Sequence, residues 1–136
     1  MDDTHELVPL SDGDLMLADE HDDVRGMPVM DVRQHRVGEV EDILVDPQER
    51  RARLLVVASG GILGLGGSHR LVPVDAISQV RGHIQLERSD LHVDSGFDYD
   101  PAPPGPVDYR PVYSYFGYTP FWEDDYKAPY FLHGRW

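Results

Sequence analysis

The segment Val37-Gly38-Glu39-Val40-Glu41-Asp42-Ile43-Leu44-Val45-Asp46, followed by the apolar run Ala52–Ser59, decides the fold. Both runs are short and rich in β-branched residues, which is the strand pattern rather than the helix pattern. Between them, Asp46-Pro47-Gln48-Glu49-Arg50 reads as a polar hairpin connection, and Pro47, with no N–H to donate, halts strand pairing there. Alternation slips around Glu41-Asp42-Ile43-Leu44, because Val40, Ile43 and Val45 cannot all face one side of a regular strand. A bulge in a strongly bent strand accounts for the slip.

Working outward, Val24–Asp31, His69–Val74 and His83–Glu87 read as further strands, with Arg33-Gln34-His35-Arg36 as a second hairpin connection. Asp75-Ala76-Ile77 suits a single helical turn before the last strand. Short strands joined mostly by tight turns predict an all-β fold, a small, partly closed β-barrel of about five to six strands, since closure protects edges that would otherwise aggregate. A two-sheet sandwich of the same strands fits the pattern too.

The 136 residues suffice for one core. Charge divides them into three segments: an acidic lead-in over 1–23 with no Lys or Arg, an electrically balanced barrel domain over 24–90, and a C-terminal extension over 91–136. All thirteen Phe, Trp and Tyr residues lie between Phe97 and Trp136, so the barrel must build its own core from aliphatic side chains. The extension is also Pro-rich, and Pro101, Pro103, Pro104 and Pro106 favour extended backbone. With 25 acidic against 12 basic residues, the chain repels nucleic-acid phosphates and anionic lipids, and basic partners fit better. Without cysteine there is no disulfide, thiolate metal site or cysteine nucleophile. No apolar run approaches the ~20 residues that span a bilayer, and the first residues lack a basic leader, so the expectation is a cytoplasmic protein without membrane insertion.

The runs Asp23-Val24-Arg25-Gly26-Met27-Pro28-Val29, Val37–Asp46 and Leu54-Leu55-Val56-Val57 resemble the opening of PRC-barrel domains. The resemblance continues through Gly60–Gly66 and Leu71-Val72-Pro73-Val74-Asp75-Ala76-Ile77, covering roughly residues 7–88. It implies a PRC-type barrel of the kind found in the cytoplasmic part of the photosynthetic reaction-centre H subunit and in a bacterial ribosome-maturation factor. Tyr99-Asp100-Pro101 and Tyr115–Trp122 look like the aromatic extension that stand-alone bacterial members carry. The resemblance implies no catalytic residues.

Candidate chemistry is sparse. The loop Ser59–Gly67 lacks the Gly-Lys-Ser/Thr ending of a phosphate-binding loop and joins two strands instead of opening a helix. Its Ile62, Leu63 and Leu65 either plug one end of the barrel or form an exposed tip that docks on a partner. Asp19-Glu20-His21-Asp22-Asp23 is the densest run of metal-ligand types, but adjacent acids in a loop rarely converge on one ion, and it reads as a solvated linker. No serine sits in a nucleophile elbow. In the extension, Tyr113, Tyr115, Tyr118, Phe121 and Trp122 are the side chains suited to an interface, or else to wrapping the barrel and enlarging its core. Alternation at Tyr113 and Tyr115 suits an added strand. The expectation is a non-enzymatic protein-interaction and assembly module, with no cofactor, metal, small-molecule substrate or direct nucleic-acid contact. Its partner is another protein or a second copy forming a homodimer. The alternative is an accessory factor in RNA metabolism or ribosome assembly that binds basic ribosomal proteins.

Overall fold

In the structure, a computed structural model, residues 6–12, 23–48, 50–59, 68–87 and 108–127 are described. The long hairpin read from the sequence organises them. Strand β3 (Arg36–Asp46) pairs from Glu39 to Asp46 with β4 (Arg51–Ser59), antiparallel. On its other edge two short strands lie end to end: β1 (Val8–Pro9) pairs with Val45 and Leu44, and β2 (Pro28–Met30) with the Arg36–Glu39 end. Strand β5 (Ser68–Pro73) adds outside β4, and β7 (Ile84–Leu86) lies parallel to β2, with β6 (Ile77–Val80) beyond it. Among the described residues this is one seven-stranded mixed sheet, curled into a small barrel that is not fully closed. A single 3₁₀ turn, Val74–Ala76, joins β5 to β6.

The β3–β4 ladder carries two irregularities. Val40 pairs with Val57 and Asp42 with Val56, which leaves Glu41 as an extra residue and lets Val37, Val40 and the Ile43–Val45 run all be buried. This is the bulge that the slipped alternation requires. The second was not foreseen: Leu44 pairs with Leu54 and Val45 with Ala52, so Arg53 is the extra residue in β4.

Seven strands stand where five to six were expected. The additions, β1 and β6, are too short to show a period, and β6 buries only its ends, Ile77 and Val80. The expected strand over Val24–Asp31 contracts to β2, because Gly26 adopts a left-handed φ of 89° and turns the chain. Arg110–Phe116 is a helix, α1, rather than an added strand. Pro111 lies in its first turn, and Gly117 ends it at φ 79°. There the Gly117 N–H donates to Ser114 O and the Tyr118 N–H to Tyr113 O, the two bonds of a Schellman cap.

The helix places Val112, Tyr113 and Phe116 on one face, and all three are buried in the same core as Val29, Ile43, Leu54, Leu55 and Ile84. The aliphatic barrel thus receives its aromatic bulk from the extension. Asp31, fully buried, is satisfied locally: its Oδ1 accepts the Arg33 and His35 N–H groups, each at 2.8 Å.

Gly38 packs where β3 passes β4. A Cβ there would lie 2.8 Å from Val57 Cγ1 and closer still to the Ala58 carbonyl oxygen. Gly38→Ala is therefore expected to cost about 1–3 kcal/mol, seen as a lower urea midpoint, while a midpoint like the wild type's refutes the tight approach.

Candidate functional site

The bulge at Arg53 aims a cation at the seam between barrel and extension. Arg53 is only 7% exposed. Its guanidinium carbon lies 4.9 Å from the Phe121 ring centroid and 5.7 Å from that of Tyr126, and its Nη2 reaches Asp46 Oδ2 at 3.5 Å. An arginine is suited to this position, since a planar and weakly hydrated cation stacks on rings where a lysine ammonium would lose its hydration.

The rings are held from behind by α1. Tyr113 meets Trp122 edge-on at 5.7 Å and Phe121 at 6.2 Å, and Phe121 meets Trp122 edge-on at 4.9 Å. A further tie comes from Tyr118, whose hydroxyl donates to Glu87 Oε1 just past β7. The segment from Tyr109 to Tyr126 is therefore fastened to the barrel at several points.

Inside the seam lies a polar cluster. Arg53 Nε, Asp75 Oδ1 and the hydroxyls of Tyr113 and Tyr126 are buried there; the Tyr113 hydroxyl has no hydrogen-bond partner, whereas the Tyr126 hydroxyl interacts with both Asp75 and Arg53. The groups feel one another: the Tyr113 hydroxyl is held well above the usual phenol range by burial first and by the Asp75 charge second. Tyr126 is raised by the same two causes. Burial pushes Asp75 up to about 6, against smaller opposing contributions from its own backbone N–H, Tyr126 and Arg53. The cluster is thus an electrostatic unit of one cation, one carboxyl and two phenols, contributed by β4, the 3₁₀ turn, α1 and the segment after it.

Beside the cluster opens a cleft of about 480 Å³, whose lining includes Glu6, Leu7, Asp46, Arg53, Phe121 and Trp122. The half-buried Phe121 and Trp122 face it, whereas Tyr113 is fully buried and belongs to the core. Tyr115, on the outer side of α1, is 37% exposed and stacks edge-on with Phe116. Of the expected interface rings, the structure therefore gathers Phe121 and Trp122 at the cleft with Tyr113 behind them, while Tyr118 packs against the core and reaches Glu87, and Tyr115 lies on the outer side of α1. Ile62, Leu63 and Leu65 lie outside the described residues, as do Asp19–Asp22; Asp23 forms a bidentate pair with Arg25.

Sequence reasoning missed Arg53, Asp75 and Tyr126. A lone arginine in the apolar run Ala52–Val57 was the available signal, since a charge amid buried neighbours must have partners.

The PRC-barrel domain model matches residues 18–94, more than half of the chain. The chain belongs to the PRC-barrel family. Comparison with curated proteins gives no match. PRC-barrel domains form a non-catalytic family that mediates protein interaction and assembly. In this PRC-barrel protein, no helix among the described residues is long and apolar enough to cross a membrane. The aromatic cleft lies where the matched barrel meets residues beyond the match.

Two consequences of the seam are measurable. The buried Tyr113 hydroxyl lacks a partner, so Tyr113→Phe is expected to raise stability by about 1 kcal/mol in urea unfolding; a loss of similar size refutes the orphaned hydroxyl. Asp75 titrates near 6 when folded and near 3.8 when unfolded, so its favourable contribution is complete below about pH 4 and is lost as the pH rises to about 6. Asp75→Asn is expected to abolish that loss and to gain on the wild type by roughly 2–3 kcal/mol between about pH 4 and pH 7. Parallel stability profiles for the two proteins would show that Asp75 titrates normally.

Proposed function

We propose that this PRC-barrel protein is a non-enzymatic, cytoplasmic module of protein interaction and assembly that engages its partner through the cleft between barrel and extension. The observation that carries the reading is the pair Phe121 and Trp122, half-buried and edge-stacked at the cleft and braced from behind by the buried Tyr113. Rings already held in place lose little side-chain entropy on binding, which is why aromatic anchors dominate interface energetics. Tyr115 and Tyr118, on and just after α1, are further candidate contacts of the extension, and the apolar run Ile62, Leu63 and Leu65 is a second candidate contact on composition alone. The partner is a second copy or another protein. The chain's excess of acidic residues supports this over a nucleic acid, whose phosphates it repels.

Light-scattering mass in solution together with quantitative capture from lysate tests the reading on the full chain and on Trp122→Ala, with Arg36→Lys, at the exposed start of β3, as a folded control. Self-association or a captured protein should be lost in Trp122→Ala while far-UV circular dichroism stays that of the wild type. An identical mass and capture profile for all three proteins rejects the cleft as the interaction face.

A further inference from the structure

The cleft is not a neutral apolar groove. Glu6, just before β1, and Asp46, at the end of β3, bring carboxylates to its lining, and Phe121 and Trp122 supply ring surface. Among the described residues the one lining cation, Arg53, is buried and drawn toward Asp46, which leaves the described lining with an excess of negative charge. Directly after Trp122 the chain continues as Glu123-Asp124-Asp125, all exposed, so the aromatic wall runs into an acidic rim. The interior shows what this combination of groups holds: the Arg53 guanidinium lies over one of the same rings, 4.9 Å from the Phe121 centroid, with Asp46 at 3.5 Å.

Three classes of occupant can be compared on these groups. An anion meets Glu6, Asp46 and the rim carboxylates, with the cation that would attract it turned inward. An uncharged apolar segment removes water from Glu6 and Asp46 without replacing their hydrogen bonds, a desolvation penalty that nothing in the segment offsets. A cationic side chain answers both the rings and the carboxylates. Among cations, guanidinium stacks flat on aromatic faces and donates in a fork that matches a carboxylate, whereas ammonium acts as a hydrated point charge.

We infer that the cleft takes a cationic side chain, arginine in preference to lysine, presented by a basic segment of a partner protein. The inference rests on reading the cleft as the interaction face and specifies the chemistry of what enters it. Capture by overall charge attraction brings a basic partner near. The cleft then selects by ring stacking and by the two carboxylates. Glu6 acts here as an outer determinant, an exposed side chain at the lining of the cleft, so it can be changed without touching the core.

The test is an NMR titration of the full chain with a capped Gly-Arg-Gly-Arg-Gly peptide, the lysine counterpart, and the citrulline counterpart, which keeps the shape and lacks the charge. The arginine peptide is expected to shift the Trp122 indole N–H and the Glu6, Asp46 and Gln48 amides saturably. The lysine peptide should bind more weakly, and the citrulline peptide should leave these signals in place. Glu6→Gln should weaken arginine binding roughly two- to fivefold with an unchanged melting temperature, the effect of an exposed ion pair. Shifts spread over the acidic surface and indifferent to Glu6→Gln overturn the inference, as does equal binding of the citrulline peptide. If no peptide binds while Trp122→Ala still abolishes self-association or capture, the cationic occupant is rejected and the interaction face stands. If the arginine peptide binds in the cleft and Trp122→Ala alters no interaction of the protein, the interaction reading falls instead.

Discussion

The ladder between β3 and β4 cannot run regularly, and most of the architecture follows from where it breaks. Both strands are buried along much of their length, so a register that buried one strictly alternating set of side chains would leave the other apolar residues in water. The extra residue Glu41 resolves this on β3, rotating the Ile43–Val45 run into the interior and bending the sheet toward closure. Its counterpart on β4 is Arg53, and there the break redirects a charge. Curvature of the barrel and the cation in the seam thus have one origin, a ladder interrupted once on each strand.

Burial of that cation makes the extension part of the fold. A guanidinium removed from water needs compensation that an aliphatic barrel cannot supply. Asp46 supplies some of it, and the rings of Phe121 and Tyr126, contributed by the extension, supply more. The exchange is mutual, because Tyr113 and Phe116 add aromatic bulk to a core that is otherwise built mainly from Val, Leu and Ile. Yet the seam is not optimised for stability: the buried Tyr113 hydroxyl lacks a hydrogen-bond partner, and the Asp75 carboxyl is raised above its ordinary range by burial. Such costs are tolerated where a surface is shaped for something besides stability, and the aromatic and acidic cleft adjoins these groups.

For a protein of a non-catalytic family, this arrangement gives the proposed recognition its physical basis. The barrel provides a rigid wall, the extension provides rings locked by their neighbours, and the acidic surroundings set the sign of charge that is drawn in. Rigidity matters here as much as composition: a ring free to rotate must be ordered on binding, whereas Trp122 is already held edge-on by Tyr113 and Phe121.

The sequence by itself determined the strand class, the β3–β4 hairpin, the bulge near Glu41, the single turn before the last strands and the family. Each rests on local chemistry, on β-branching, turn residues and a period of two that visibly slips. It also placed every aromatic ring outside the aliphatic barrel. Some of what it left undecided was local too: Pro111 and Gly117 bound α1 with the usual helix signals, but the alternating Tyr113 and Tyr115 read as a strand. The remainder was decided by tertiary structure alone. Two-residue β1 and four-residue β6 exist because β3 and β7 offer edges, since segments so short have no periodicity of their own. Arg53, Asp75, Tyr113 and Tyr126 are far apart in the chain and ordinary in local sequence, and they become one electrostatic unit only when the extension closes on the barrel. Whether an aromatic side chain becomes core, as Tyr113 does, or surface, as Trp122 partly does, depends on which neighbours reach it first, and that is a property of the fold rather than of the residue.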